Sequence, residues 1–214
     1  MKVLLAIAGV GILAALMVLV LPNLAPSKAT EKLTEAQLID DDFVLGRAGA
    51  PVLIVEFGDF LCEYCAKLSA DVMPVLRKQY IDTGKAKMVF RDFISPSHAT
   101  AVPASAAAHC TKQKFWDMHD ILYQNSYTGD RWSTLENPVS TFAAYADRLG
   151  TNISSCMATP QILNEINDDI MKGLALNVLG TPTIMIGNDK KGFVRVLSAQ
   201  PTTVYTNIIE EMLR

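Results

Sequence analysis

An apolar run that breaks at a turn and then delivers two cysteines three residues apart constrains this chain more than any other feature. In Val52-Leu-Ile-Val-Glu-Phe-Gly-Asp-Phe-Leu-Cys62-Glu-Tyr-Cys65, the β-branched residues read as a buried strand and Gly58-Asp59 as its end. The residues from Ala66 to Met73 are helix-compatible, so both cysteines are expected at a strand-to-helix turn. A helix N-terminus carries unpaired N–H groups and the positive end of the macrodipole, which favour a thiolate over a thiol. A thiolate attacks a disulfide, and a second thiol one turn away displaces the resulting mixed disulfide. Cys62 is the expected nucleophile and Cys65 the resolving partner. The competing reading, half of a zinc site, needs two more ligands. His109-Cys110 does not supply them easily, because adjacent helical residues point about 100° apart. No metal and no other cofactor is expected.

Four cysteines allow three pairings, and setting aside Cys62/Cys65 leaves Cys110 and Cys156. These are expected to form a structural disulfide across a helical region, the alternatives being a second redox relay or two free buried thiols. An even set with one distant pair suits an oxidising compartment. The net charge of −3 and the lack of any basic block exclude an electrostatic footprint for nucleic acid.

Val3 to Leu21 contains no charged or strongly polar residue. As a helix it would span roughly 28 Å, close to the hydrocarbon thickness of a bilayer. It is expected to be an uncleaved anchor in the lipid bilayer, with a cleaved signal ending near Ser27-Lys28-Ala29 as the alternative. Residues 1–29 are thus read as anchor or signal plus linker, and 30–214 as a domain outside the cytoplasm. Asp40-Asp41-Asp42 reads as a solvated turn without the spacing of a calcium loop.

Beyond the cysteines, Lys67 to Tyr80 has helical periodicity interrupted at Pro74, and Lys87 to Phe93 reads as a second strand, parallel to the first. Residues from about 99 to 178 are helical in pattern. Thr183–Ile186 and Phe193–Leu197 form an expected hairpin, and Thr203–Leu213 a closing amphipathic helix. His98 and His119 read as surface or packing histidines, Trp116 and Trp132 as core or interface aromatics. Asn152 reads as a glycosylation acceptor or a helix N-cap.

This order of elements resembles the thioredoxin superfamily, and within it the DsbA-like thiol:disulfide oxidoreductases. The likeness rests on Val55-Glu56-Phe57 and Asp59-Phe60 before Cys62-Glu-Tyr-Cys65, on Phe90-Arg-Asp-Phe93, on Lys114-Phe-Trp-Asp-Met-His-Asp120, and on Gly180-Thr181-Pro182-Thr183. It implies an α/β, thioredoxin-like fold with an inserted helical domain, preceded here by the N-terminal transmembrane helix. It further implies that Pro182 is a cis-proline against the cysteines, that Thr181 tunes the thiols, and that Glu56 is a buried acid serving Cys65. The alternative for Glu56 is an acid whose strand end reaches solvent. Many members carry Pro-His between the cysteines, whereas this chain has Glu63-Tyr64. A carboxylate beside Cys62 disfavours its thiolate, so a potential less extreme than the strongest oxidants is expected.

The resemblance implies exchange of the Cys62–Cys65 disulfide with the thiols of substrate proteins, in the direction of disulfide donation. A quinone-linked membrane protein would then reoxidise the enzyme. A reductase or isomerase is the alternative enzyme. A redox-inactive binding module or chaperone, and more distantly a zinc module, are the alternatives of other classes.

Overall fold

The computed structural model describes residues 33–214. The expected anchor over 3–21 lies outside the described residues, and among those described no helix is long and apolar enough to cross a membrane.

A five-stranded sheet is the frame. Its strands are β1 (Leu45–Gly46), β2 (Val52–Gly58), β3 (Ala86–Asp92), β4 (Thr183–Asn188) and β5 (Gly192–Leu197), in the order β1-β3-β2-β4-β5. β2 and β3 are parallel from Val52↔Ala86 to Gly58↔Asp92, while β4 runs antiparallel to β2, with Phe57 opposite Thr183. β2 is buried at every position, as befits a central strand covered on both faces. Val52 and Ile54 face a core built with α2 (Glu63–Asp71), α5 (Phe115–Ser126) and α8 (Thr202–Leu213). Leu53, Val55 and Phe57 face the other core with Leu38 of α1 (Glu35–Ile39), Val178 and Met185. α1 starts in a capping box, Thr34 Oγ1 accepting from Gln37 N and Gln37 Oε1 from Thr34 N. Pro74 sits in the first turn of α3 (Met73–Leu76), where its missing N–H costs nothing, and the break from α2 falls at Val72.

Between β3 and β4 lie α4 (Ala101–Cys110), α5, α6 (Val139–Arg148) and α7 (Pro160–Ala175). The buried alanines 104 and 106–108 let neighbouring helices approach α4 closely, and Trp132 anchors the block by donating Nε1–H to the Leu122 carbonyl at 2.8 Å. α7 reaches the sheet through Gly173, where a Cβ would lie 2.5 Å from the ring of Phe93.

A disulfide joins Cys110, at the end of α4, to Cys156, 46 residues on in the turn before α7. Loop closure of that size restricts the unfolded chain by about 4 kcal/mol in the chain-entropy account. The Cys110→Ser/Cys156→Ser chain is therefore expected to lose about 4 kcal/mol of unfolding free energy in urea titration. Cys62 and Cys65 lie outside this loop, so their reactivity should be unchanged.

Two expectations need correction. Asp42 is not a solvated residue: its carboxylate is buried and 2.7 Å from Arg91, whose other Nη is 2.7 Å from Asp169 and whose Nε donates to the Leu38 carbonyl. Neighbouring Asp40 does reach solvent, and pairs with Lys172. The sequence shows a run of like charges; the fold brings a buried guanidinium from β3 to the third of them. Asp42, Glu165 and Asp169, and likewise Asp92, His109 and Asp169, bring ligand-type atoms within 4.8 Å of one another. Arg91 and His109 provide cationic partners there, His109 Nε2 standing 2.8 Å from Asp92. Asn152 caps no helix; its side chain accepts from Ser154 N within a turn.

Candidate active site

β2 ends at Gly58, and Asp59 makes the turn into α2. Its backbone carbonyl accepts from Cys62 N at 2.9 Å, and its carboxylate accepts from Leu61 N at 2.8 Å. The second carboxylate oxygen takes Ser95 N at 3.0 Å and His98 Nδ1 at 2.7 Å, tying the turn to the loop after β3. His98 is thus engaged with a buried aspartate at the site's edge.

Cys62 occupies the N-cap of α2, with extended backbone, and Cys65 the third helical position. Both thiols are free, and Cys65 is wholly buried. The Cys62 pKa is lowered to about 6, first by the hydrogen bond from the Cys65 thiol. Burial opposes the shift, while the Thr181 side chain and the N–H groups of Cys65 and Tyr64 support it. Those two amides are orphan donors of the first helical turn, the reason that a sulfur at the N-cap is held as a thiolate. Burial, the bond to Cys62 and the negative charge of Glu56 push the Cys65 thiol well above its ordinary value. The two sulfurs of one motif are driven in opposite directions.

The Thr181–Pro182 bond is cis. It sets the Thr181 carbonyl 3.3 Å from Cys62 Sγ, where it accepts from the thiol form. The pairing of β4 with β2 brings this loop across from a position 119 residues earlier. Glu63 and Tyr64 both face solvent, Tyr64 being 59% exposed.

Glu56 is fully buried on β2. Burial, with the charges of Cys62 and Asp120 adding to it, raises its pKa to about 8. The reading of a strand-end acid reaching solvent is thereby excluded. Below pH 4.5 the group is protonated in both states; between 4.5 and about 8 the folded chain holds a proton that the unfolded chain has released, so stability falls as pH rises through that window. Glu56→Gln is expected to stabilise the fold by about 3 kcal/mol at pH 7, the gain vanishing near pH 4, in paired urea titrations.

A groove of about 780 Å³ runs beside Cys62, lined by Glu63 and Ala66 of α2, by Arg77, and by Asp120, Tyr123 and Tyr127. At its end the Tyr127 hydroxyl donates to the Leu61 carbonyl. Of the residues close behind the cysteines, His119 and Asp120 belong to the Lys114–Asp120 motif of the resemblance, and Tyr123 was legible only as part of a helical stretch. The i, i+4 spacing of His119 and Tyr123 was the signal that they share a face.

A cis-proline loop against a strand–turn–helix dithiol with divergent thiol acidities defines a thiol:disulfide oxidoreductase of thioredoxin fold. Residues 39–195 match the family model described as Thioredoxin. Disulfide bond formation protein D of Bacillus subtilis is 30% identical over 155 residues, covering 69% of this chain and 68% of that protein. A probable disulfide bond formation protein D of Bacillus cereus is 28% identical over 150 residues, covering 68% and 69%. Among solved structures, Wolbachia pipientis alpha-DsbA1 superposes with a TM-score of 0.72 at 22% identity, over 81% of this chain and 92% of that one. BdbD from Bacillus subtilis gives 0.68 at 24%, over 82% and 94%. The chain belongs to the DsbA-like thiol:disulfide oxidoreductases of the thioredoxin superfamily.

Proposed function

We propose that this chain donates disulfides to protein thiols outside the cytoplasm. The observation that carries the reading is the opposed acidity of its two thiols, with Cys62 lowered to about 6 and Cys65 raised well above the ordinary value. A stabilised Cys62 thiolate stabilises the reduced enzyme, and so makes its disulfide the better oxidant.

A substrate thiolate attacks Cys62 Sγ, the Cys62–Cys65 bond breaks, and Cys65 leaves as a thiolate that takes a proton from Glu56. A second substrate thiolate then attacks the substrate sulfur of the mixed disulfide. The substrate disulfide forms, Cys62 departs as a thiolate, and two electrons have passed to the enzyme. The loop at Thr181-Pro182 and the groove at Glu63 offer the substrate segment a backbone edge and a channel. A quinone-linked membrane protein restores the enzyme's disulfide. The Cys110–Cys156 bond suits an oxidising compartment, and the uncharged stretch 3–21 of the sequence suits a bilayer anchor.

The deciding experiment equilibrates the full chain in glutathione buffers and reads the Cys62/Cys65 couple by alkylation and mass. A potential of about −120 to −180 mV is expected for a donor. A value of about −270 mV would make the chain a reductase, and the absence of any reversible couple would make it a binding module.

A further inference from the structure

The two residues that flank Cys62 in the chain both meet the head of the groove beside it. Glu63, the first residue of α2, is exposed and lines the groove. The Leu61 carbonyl accepts from the hydroxyl of Tyr127, a residue of the opposite wall that follows α5 and is 41% exposed. Burial raises the Tyr127 pKa, and the charges of Cys62 and Glu63 add to it, so carboxylate, ring and sulfur act on one small region. A segment whose cysteine reaches Cys62 Sγ brings its neighbours on one side of that cysteine to this opening, because successive Cα atoms are only about 3.8 Å apart.

Among the described residues, the acids and bases along the groove are Glu63, Lys67, Asp71, Arg77 and Asp120. Four of them cancel in pairs. Lys67 Nζ is 3.1 Å from Asp71, and an Arg77 Nη is 2.9 Å from Asp120. Glu63 has no ion-pair partner among the described residues. Turning Lys67 toward it, one helical turn away, would only move the excess charge to Asp71. Three carboxylates against two cations leave the groove one negative charge however they pair. The dipole of α2 accommodates an acid at its first position, yet that acid also stands beside a nucleophilic sulfur whose ionisation it opposes. Together Glu63 and Tyr127 offer what a cation takes, a carboxylate and an aromatic ring.

We propose that the groove head selects substrate segments with a lysine or arginine one or two residues from the reacting cysteine, Glu63 pairing the cation and the Tyr127 ring packing on its stem. The assignment rests on the donor reading above and adds to it the class of thiol segment that reacts fastest. In the oxidised enzyme Cys62 is held in a disulfide and carries no charge, so Glu63 is the charge that an arriving segment meets. The selected cation serves the reaction twice. It docks the segment, and it favours the thiolate form of the substrate's own sulfur, the form that attacks. The exchange of bonds is the one already described, and Glu63 sets specificity without taking part in it. Because the pair forms at an exposed site, its worth is a few-fold in rate and falls with salt.

The test mixes the oxidised full chain with reduced two-cysteine peptides that carry Arg, Gln or Glu beside each cysteine. A further peptide carries the same arginines about six residues off, roughly 20 Å when extended and beyond the Debye length at about 0.1 M salt. Loss of the Cys62–Cys65 disulfide is read by acid quench, alkylation and intact mass. The ratio of the Arg rate to the Gln rate is taken in each chain. Comparing that ratio between chains cancels the acidity of the peptide thiol and the reactivity of Cys62. At about 0.1 M salt the parent ratio should exceed that of Glu63→Gln about threefold to fivefold, and the two should converge near 1 M. Glu63→Lys should turn the preference toward the Glu peptide. Tyr127→Phe should keep the parent ratio and Tyr127→Leu lower it about twofold. Equal ratios in the parent and Glu63→Gln overturn the selection and leave disulfide donation standing. A distant Arg as effective as an adjacent one assigns the effect to the overall charge of the chain and overturns it too. An oxidised chain that passes its disulfide to none of the peptides overturns the donor reading and this assignment together.

Discussion

Mixed with a peptide disulfide, a Cys65→Ser chain is expected to accumulate a covalent adduct on Cys62, and a Cys62→Ser chain to form none. With a pKa of about 6, Cys62 is a thiolate in roughly nine chains of ten at pH 7. Cys65, wholly buried and raised well above its ordinary value, is a thiolate in very few. Their alkylation rates at pH 7 should differ on the order of a hundredfold. Serine at position 65 keeps a hydroxyl where the thiol donated to Cys62, so the nucleophile stays activated while the resolving sulfur is gone. Disulfide exchange should fall to background in both variants, for opposite reasons. Intact mass separates them, and an adduct on Cys65 in the Cys62→Ser chain would reverse the two roles.

Arg91→Met is expected to destabilise the fold by about 3–5 kcal/mol at pH 7, the cost of leaving buried charge without its partner. Arg91 is 1% exposed and bonds Asp42, Asp169 and the Leu38 carbonyl at once. It ties the segment before β1 and helix α7 to the central sheet. Burial already pushes the Asp42 and Asp169 carboxyls upward, with repulsion from nearby acids adding to it and Arg91 resisting. Without the guanidinium those carboxyls bind protons still more tightly in the folded state, so the variant's stability falls as pH rises and its deficit shrinks in acid. Adding Asp42→Asn and Asp169→Asn should recover most of the loss. Paired urea titrations at pH 5 and pH 7 read the effect. A deficit equal at both pH values would assign it to packing of the side chain instead of charge. Arg91 is paired with Phe57 on the face of the sheet away from Glu56, so Cys62 alkylation should be unaffected.

The strand, the turn at Asp59 and the position of the cysteines on α2 were legible in the sequence because each depends on neighbours within a few residues. The periodicity of the helical block and the hairpin were legible for the same reason. A motif likeness pointed to Thr181-Pro182 and Glu56, but periodicity alone would have selected neither. Asp42 was misread, since a local run of carboxylates carries no trace of an arginine 49 positions away. His119 was read as a surface or packing histidine, and its aromatic surroundings support packing; the burial of its inner nitrogen emerges only when α5 is laid against β3.

The sequence by itself determined that two thiols would stand at a helix N-terminus, where backbone donors favour a thiolate. The tertiary structure decided how acidic each thiol is, because that depends on Thr181 arriving from β4, on the burial of Cys65 and on Glu56 beneath it. Local geometry is set by the 3.6- and 2-residue periods of the chain; electrostatics at a site are set by what the fold seals from water and what it brings within a few ångströms.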